Sequence, residues 1–138
     1  MSEYDKALAV FLYLRSNCSY ARHGLQYNNA NNANNAWGAL VYNEAQCSGF
    51  ARAMKALCDG VGVKCKYVHA NSKAVNPRHQ WNEIRINGKW YIVDAQSGVF
   101  LAGSNTWKNM MGMCWNTKGL PKCSASDHKK FGFYGSIV

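Results

Sequence analysis

Acidic residues are scarce in this chain: 7 Asp and Glu stand against 16 Lys and Arg, for a formal net charge of +9 over 138 residues. Long apolar runs are missing too. None approaches the roughly 18–20 residues of a membrane-spanning helix, so no membrane span is expected. The opening "MSEYDKALAVFLYLRSNC" has no basic start and no small-residue cleavage site after its apolar part, and does not read as a secretory signal. The 6 cysteines (Cys18, Cys47, Cys58, Cys65, Cys114 and Cys123) contain no C-x-x-C, and the histidines at 23, 69, 79 and 128 show no H-x-x-x-H spacing. Zinc ribbons, thioredoxin-type redox motifs and helix-borne metal pairs are therefore unsupported, and no metal or cofactor is expected. Lys129-Lys130 is the only Lys/Arg doublet and no nucleic-acid motif accompanies it, so nucleic acid is not an expected partner. The positive excess still attracts polyanions, including the acidic polymers of a microbial wall.

What remains is the composition of a folded domain: 48% hydrophobic residues with 5 Trp and 8 Tyr, in a chain sized for one core. A single domain over residues 1–138 follows. Tyr4, Leu8, Phe11, Leu12 and Arg15 recur at helical spacing, which predicts a first helix over 3–16. The Asn/Ala triplets of 27–35 read as a connecting loop. From Cys47 the pattern is helical again, with Phe50, Met54, Leu57 and Cys58 on one face, Arg52, Lys55 and Asp59 on the other, and Gly60 and Gly62 as the stop. "VKCKYVH" alternates as a strand, with Cys65 and Tyr67 on one side and Lys64, Lys66 and Val68 on the other. "QWNEIRI", "NG", "KWYIVDA" then forms a β-hairpin, because Asn-Gly readily takes the positive φ angles of a two-residue turn. Beyond Gly98 the pattern is mixed, and "NTWKNMMGMCWN" fits a short helix or irregular chain. The order of elements gives an α+β class, with helices packed on a small antiparallel sheet.

The hairpin has a chemical consequence. If Asn87-Gly88 is the turn, Ile86 faces Lys89 and, stepping outward, Trp81 faces Asp94. His79 then lies diagonal to Asp94 on the same face, at a separation of about 7–8 Å that two side chains can bridge. A one-residue bulge would break that register. Cys47 stands at a predicted helix start, where unpaired N–H groups and the helix dipole favour a thiolate. Converging, the three would give a nucleophile, a proton carrier and a group that orients it. Taken singly, each has an ordinary alternative: a packed cysteine, a surface histidine, a turn-capping aspartate.

The residues carrying this constellation, "AWGALVYNEAQCSGFARAMKALCDGVGVKCKYVHA" and "RHQWNEIRINGKWYIVDAQSG", resemble the transglutaminase-like superfamily of cysteine enzymes over residues 37–98. The resemblance implies a papain-like α+β core, Cys47 as nucleophile, His79 as base and Asp94 as orienting acid, with Cys58 left to packing or a disulfide. It departs from the family's common pattern at Gln80 and in "DAQSG". Gln46 and Asn82, beside the nucleophile and the histidine, are candidates to contact substrate, and Trp37 and Trp81 are candidates to line the thiol's pocket. The implied reaction passes through a thioester acyl-enzyme, resolved by water in a protease or by an amine in a crosslinking transglutaminase. A thiol endopeptidase or isopeptidase acting on a peptide or cell-wall polymer is the first expectation, as a secreted or cell-surface monomer. Amine transfer is the second. The third is an inactive member that binds polyanions or the wall.

Overall fold

The computed structural model describes residues 1–21, 35–41 and 43–137. Helix α1 (Glu3–Asn17) is capped by Ser2, whose side-chain oxygen accepts the Asp5 N–H at 3.0 Å. Its buried stripe runs through Ala7, Val10, Phe11 and Leu14, while Leu12, expected on that stripe, is 41% exposed. Strand β1 (Ser19–Tyr20) follows. Residues 27–34 of the expected Asn/Ala loop lie outside the described residues. Asn35 caps helix α2 (Ala36–Val41), accepting the Gly38 N–H on Oδ1 at 3.0 Å. Strand β2 (Glu44–Ala45) pairs parallel with β1 and feeds directly into helix α3 (Cys47–Val61). Gly62 ends α3 at φ +82°, where a residue without Cβ is favoured.

Strands β3 (Cys65–His69), β4 (Gln80–Ile86), β5 (Lys89–Asp94) and β6 (Val99–Ala102) continue the chain. Helix α4 (Ser104–Asn109) and strand β7 (Gly132–Phe133) complete it. Strands β3 to β7 form one antiparallel sheet in sequence order. Ile86 pairs with Lys89 and Asn82 with Val93, across a turn whose Asn87 and Gly88 have φ of 51° and 82°. That is the expected hairpin in the expected register. The resulting α+β architecture, helices on an antiparallel sheet, agrees with the class expected from the sequence.

Alternation along β4 divides the core. Ile84 and Ile86 face α1 and α3, meeting Phe11, Leu14, Phe50 and Met54. Trp81 faces the other way, into a cluster with Val68, Ile92, Trp107 and Trp115. Full burial of each large apolar side chain stabilises the fold by about 1.5–3 kcal/mol. Register slips where β5 meets β6: Ile92 pairs with Ala102 but Val93 with Phe100, so Leu101 is the extra residue, at φ +62°. This bulge lets consecutive Phe100 and Leu101 both enter the helix-side core.

Candidate active site

The β2-to-α3 junction sets Cys47 at the first position of a 15-residue helix. Gln46 occupies the N-cap position but makes no side-chain cap bond, leaving the first-turn N–H groups of α3 without a capping side chain. The partly exposed Cys47 thiol lies 3.8 Å from the carbonyl oxygen of Arg78. That carbonyl is fixed by a tight turn: Asn76 accepts the Arg78 N–H on Oδ1 at 3.2 Å, and its own carbonyl accepts the His79 N–H at 3.1 Å. Cys47 and His79 are thus brought together from different layers of the fold.

His79 is buried and donates through Nε2 to Oδ2 of Asp94. With Nε2 committed to Asp94, Nδ1 is the nitrogen left to serve the Cys47 thiol, whose charge acts on the ring. Burial alone would push the imidazole's pKa down. The hydrogen bond to Asp94 and the influence of Asp94 and Cys47 outweigh it and raise the pKa to about 10. The imidazolium is therefore the favoured form at neutral pH. Trp81 and Trp107 wall off the ring, with centroids 5.9 and 6.2 Å from that of His79.

Asp94 is held in turn. Its Oδ1 accepts the Ser97 N–H at 3.1 Å, its carbonyl accepts the Gly98 N–H at 2.9 Å, and Ser97 Oγ sits 3.3 Å from His79 Nε2. Gly98 is at φ +80°, and a Cβ there would lie 2.2 Å from the Gly135 carbonyl. Arg15 of α1 fastens this 94–98 turn to the 134–135 segment. Its guanidinium donates to the carbonyls of Ala95 at 2.8 Å, Tyr134 at 3.1 Å and Gly135 at 2.7 Å. Tyr134 N–H bonds the Gly98 carbonyl at 2.6 Å, and Gln96 and Ile137 exchange two further bonds.

A cavity of about 550 Å³ opens in front of the thiol, with Gln46, Cys47, Ser48, Arg52, Arg78 and Gln80 in its wall. Trp37 is 58% exposed on α2 and is absent from this wall. Two sequence expectations are corrected. Asn82, read as a substrate contact, is buried on the helix side, where its Nδ2 donates to the carbonyls of Ala51 at 2.9 Å and Lys66 at 3.3 Å. Trp81, read as pocket lining, is fully buried behind His79. Adjacent on β4, the two side chains point to opposite faces, and each is buried there, outside the cavity wall. Ser97 and Arg15 were missed. Ser97 follows an aspartate in a Gln-Ser-Gly turn, a weak signal for an Asp-held turn, whereas nothing local marks Arg15.

The other cysteines differ from Cys47. All six are free thiols, and Cys18, Cys58 and Cys65 are buried. Hydrogen bonding to Cys58, together with burial, pushes the Cys65 thiol's pKa up, and burial raises that of Cys18 to about 12. Among the described residues, no group of three or more His, Cys, Asp or Glu converges as metal ligands.

The family model of the transglutaminase-like superfamily matches residues 1–95. The chain belongs to the transglutaminase-like superfamily. A curated relative, the kyphoscoliosis peptidase of Mus musculus, is 23% identical over 117 residues, covering 78% of this chain and 18% of that protein. The solved structure named "a Putative Cysteine Protease from Cytophaga hutchinsonii" is 26% identical with a TM-score of 0.52, covering 67% of this chain and 31% of that one. A second, named "a TGase", superposes with a TM-score of 0.58 over 82% of this chain and 33% of that one; at 19% identity it shows the fold alone. The chain thus spans a third or less of the length of each of these proteins. As a transglutaminase-like domain, it pairs its helices with the antiparallel sheet as its structural neighbours do.

Proposed function

We propose that this transglutaminase-like chain is a cysteine-dependent hydrolase of peptide or isopeptide amide bonds, with Cys47 as nucleophile, His79 as proton carrier and Asp94 as the group that orients it. The observation that supports this most is the buried His79 imidazole, bonded to Asp94 and raised in pKa by Asp94 and Cys47, with Cys47 itself in the wall of an open cavity. The Cys47 thiolate adds to the amide carbon, and the electron pair moves onto the carbonyl oxygen. The Cys47 backbone N–H, at the mouth of α3, supplies one donor to that oxyanion. Collapse forms the thioester, and His79 gives its proton to the departing amine. A water then attacks the thioester, His79 takes up its proton, and the acid leaves as the thiolate is restored. Asp94 holds the tautomer throughout.

The surface excess of Lys and Arg supports an anionic polymer such as a microbial wall as the setting, and hence a secreted or cell-surface monomer. The test begins without a substrate. Alkylation of Cys47 by iodoacetamide is followed by peptide mass spectrometry from about pH 5 to 9, across the titration range of an ordinary thiol. Cys47 is expected to react well below about pH 8 in the wild type and to lose that reactivity in His79→Ala. With an amide substrate, Cys47→Ala and His79→Ala are expected to lose at least about a thousandfold in turnover, as residues acting as a unit do. Product masses separate water from amine as the acceptor. Wild-type turnover in Cys47→Ala would sink the mechanism. An ordinary, His79-independent thiol profile would support a binding module instead.

A further inference from the structure

Resting on that reading, we propose that Arg52 and Arg78 select an acyl substrate carrying a carboxylate beside the amide that Cys47 attacks. Among the described residues, the cavity wall contains two guanidinium-bearing residues and His69 but no Asp or Glu. Among the described residues the ion pairs are Lys55–Asp59 and His79–Asp94, so neither arginine is neutralised by a partner carboxylate. Arg52 lies five positions after Cys47 on α3, and its guanidinium stacks 5.2 Å above the Tyr67 ring. Stacking holds the charge against the wall rather than leaving it to roam in solvent. Arg78 is the residue whose own carbonyl faces the Cys47 thiol, and the Asn76 turn fixes its backbone there.

The rest of the wall is largely uncharged polar, with Gln46, Ser48, Asn76 and Gln80. An apolar side chain next to the scissile amide would meet little apolar surface, and an amine would meet two like charges. A carboxylate meets planar donors that match its geometry. The site thus recognises acidic peptides by charge next to the nucleophile.

The probe is the near-isosteric pair iodoacetate and iodoacetamide. Each is attacked by the thiolate to form a C–S bond and release iodide, so they differ only in a carboxylate against a carboxamide. Their rate ratio at Cys47, divided by the ratio for free cysteine, cancels the ionisation of the thiol. It is measured on the full chain in wild type, Arg52→Gln, Arg78→Gln and the double variant. The His79 imidazolium also attracts the anion, so the drop on removing each arginine is what carries the assignment. A drop of about threefold per arginine is expected, the attraction of one unit charge across about 7 Å of water, and high salt reduces the wild-type ratio likewise. A ratio unchanged in both variants overturns the proposal.

A second measurement identifies the source of the negative charge. Acetyl-Glu-Glu-amide should protect Cys47 from iodoacetamide at lower concentration than acetyl-Gln-Gln-amide. Protection by inorganic phosphate but not by the acidic peptide overturns the assignment to a peptide carboxylate. If reactivity proves independent of His79 while the ratio still depends on the arginines, the hydrolase reading fails and the charge selectivity stands.

Discussion

The two faces of the central strand β4 are built on opposite terms. Toward α1 and α3, Ile84 and Ile86 join an apolar core, and Asn82 on that side bonds two backbone carbonyls through its Nδ2 while its Oδ1 is buried without a partner. On the other face stand His79, Trp81, Glu83 and Arg85. There Trp81 Nε1, Glu83 Oε2, Arg85 Nε, Trp107 Nε1 and Trp115 Nε1 are buried without a hydrogen-bond partner. Such groups cost about 1–3 kcal/mol each when left unsatisfied. One face is therefore packed mainly for stability, and the other bears most of this penalty, around the histidine that carries the proposed chemistry. The contrast fits a general pattern in which local rules are broken near functional sites.

The contrast can be tested from the helix side first, where the largest energetic effect is expected. Met54→Ala leaves a cavity in a fully buried position and should lower stability by about 2–5 kcal/mol, measured by urea unfolding. Well below its melting temperature it should keep the Cys47 alkylation profile. Loss of that profile in a folded protein would mean the faces are not separable.

On the other face, Asp94→Asn should cost about a hundredfold in turnover, or about 2.7 kcal/mol, with less effect on folding than Met54→Ala. It should also change the pH dependence of stability. The imidazolium of His79 is favoured in the fold, so its contribution is full below its ordinary value of 6.5 and is lost as pH rises through about 10. Urea unfolding between those limits should show a steeper loss in wild type than in Asp94→Asn.

The smallest effect is expected at Glu83. Burial raises its pKa from 4.5 to about 7, so the folded chain keeps a proton that the unfolded chain releases, and stability falls as pH rises through that window. Glu83→Gln should remove this slope and be more stable than wild type at about pH 8, by urea unfolding. A loss instead would mean that the charged carboxylate is stabilising.

How much of this was legible in the sequence varied with the range of the contact. The hairpin was readable because Asn87-Gly88 fixes a two-residue turn, and strand alternation then carries His79 and Asp94 to one face. The start and stop of α3 were readable from Cys47 and Gly62. Adjacency in sequence to His79 suggested Trp81 and Asn82 as cavity residues, but they point to opposite faces of β4 and both are buried, a consequence of packing that no local signal announces. The α1 stripe shifted because several apolar positions compete for one face, and packing against Phe100 decides for Phe11 over Leu12. Helix α2 was missed because six residues with a Gly among them carry too little periodicity. The bulge at Leu101 has no local signature either, since leucine is not a residue that favours positive φ.

The Arg15 clamp joins residues separated by 80, 119 and 120 positions in the chain. Local bonds from Ser97 and Gly98 hold Asp94 within its turn, but the brace on that turn closes only once distant segments have found each other. A fragment holding residues 37–98 would contain Cys47, His79 and Asp94 and still lack the brace that orders them. Loosening at 134–137 would release the aspartate while most of the sheet remained intact. Activity in such a molecule is hostage to its least local bonds, and should fade on warming before the fold itself melts.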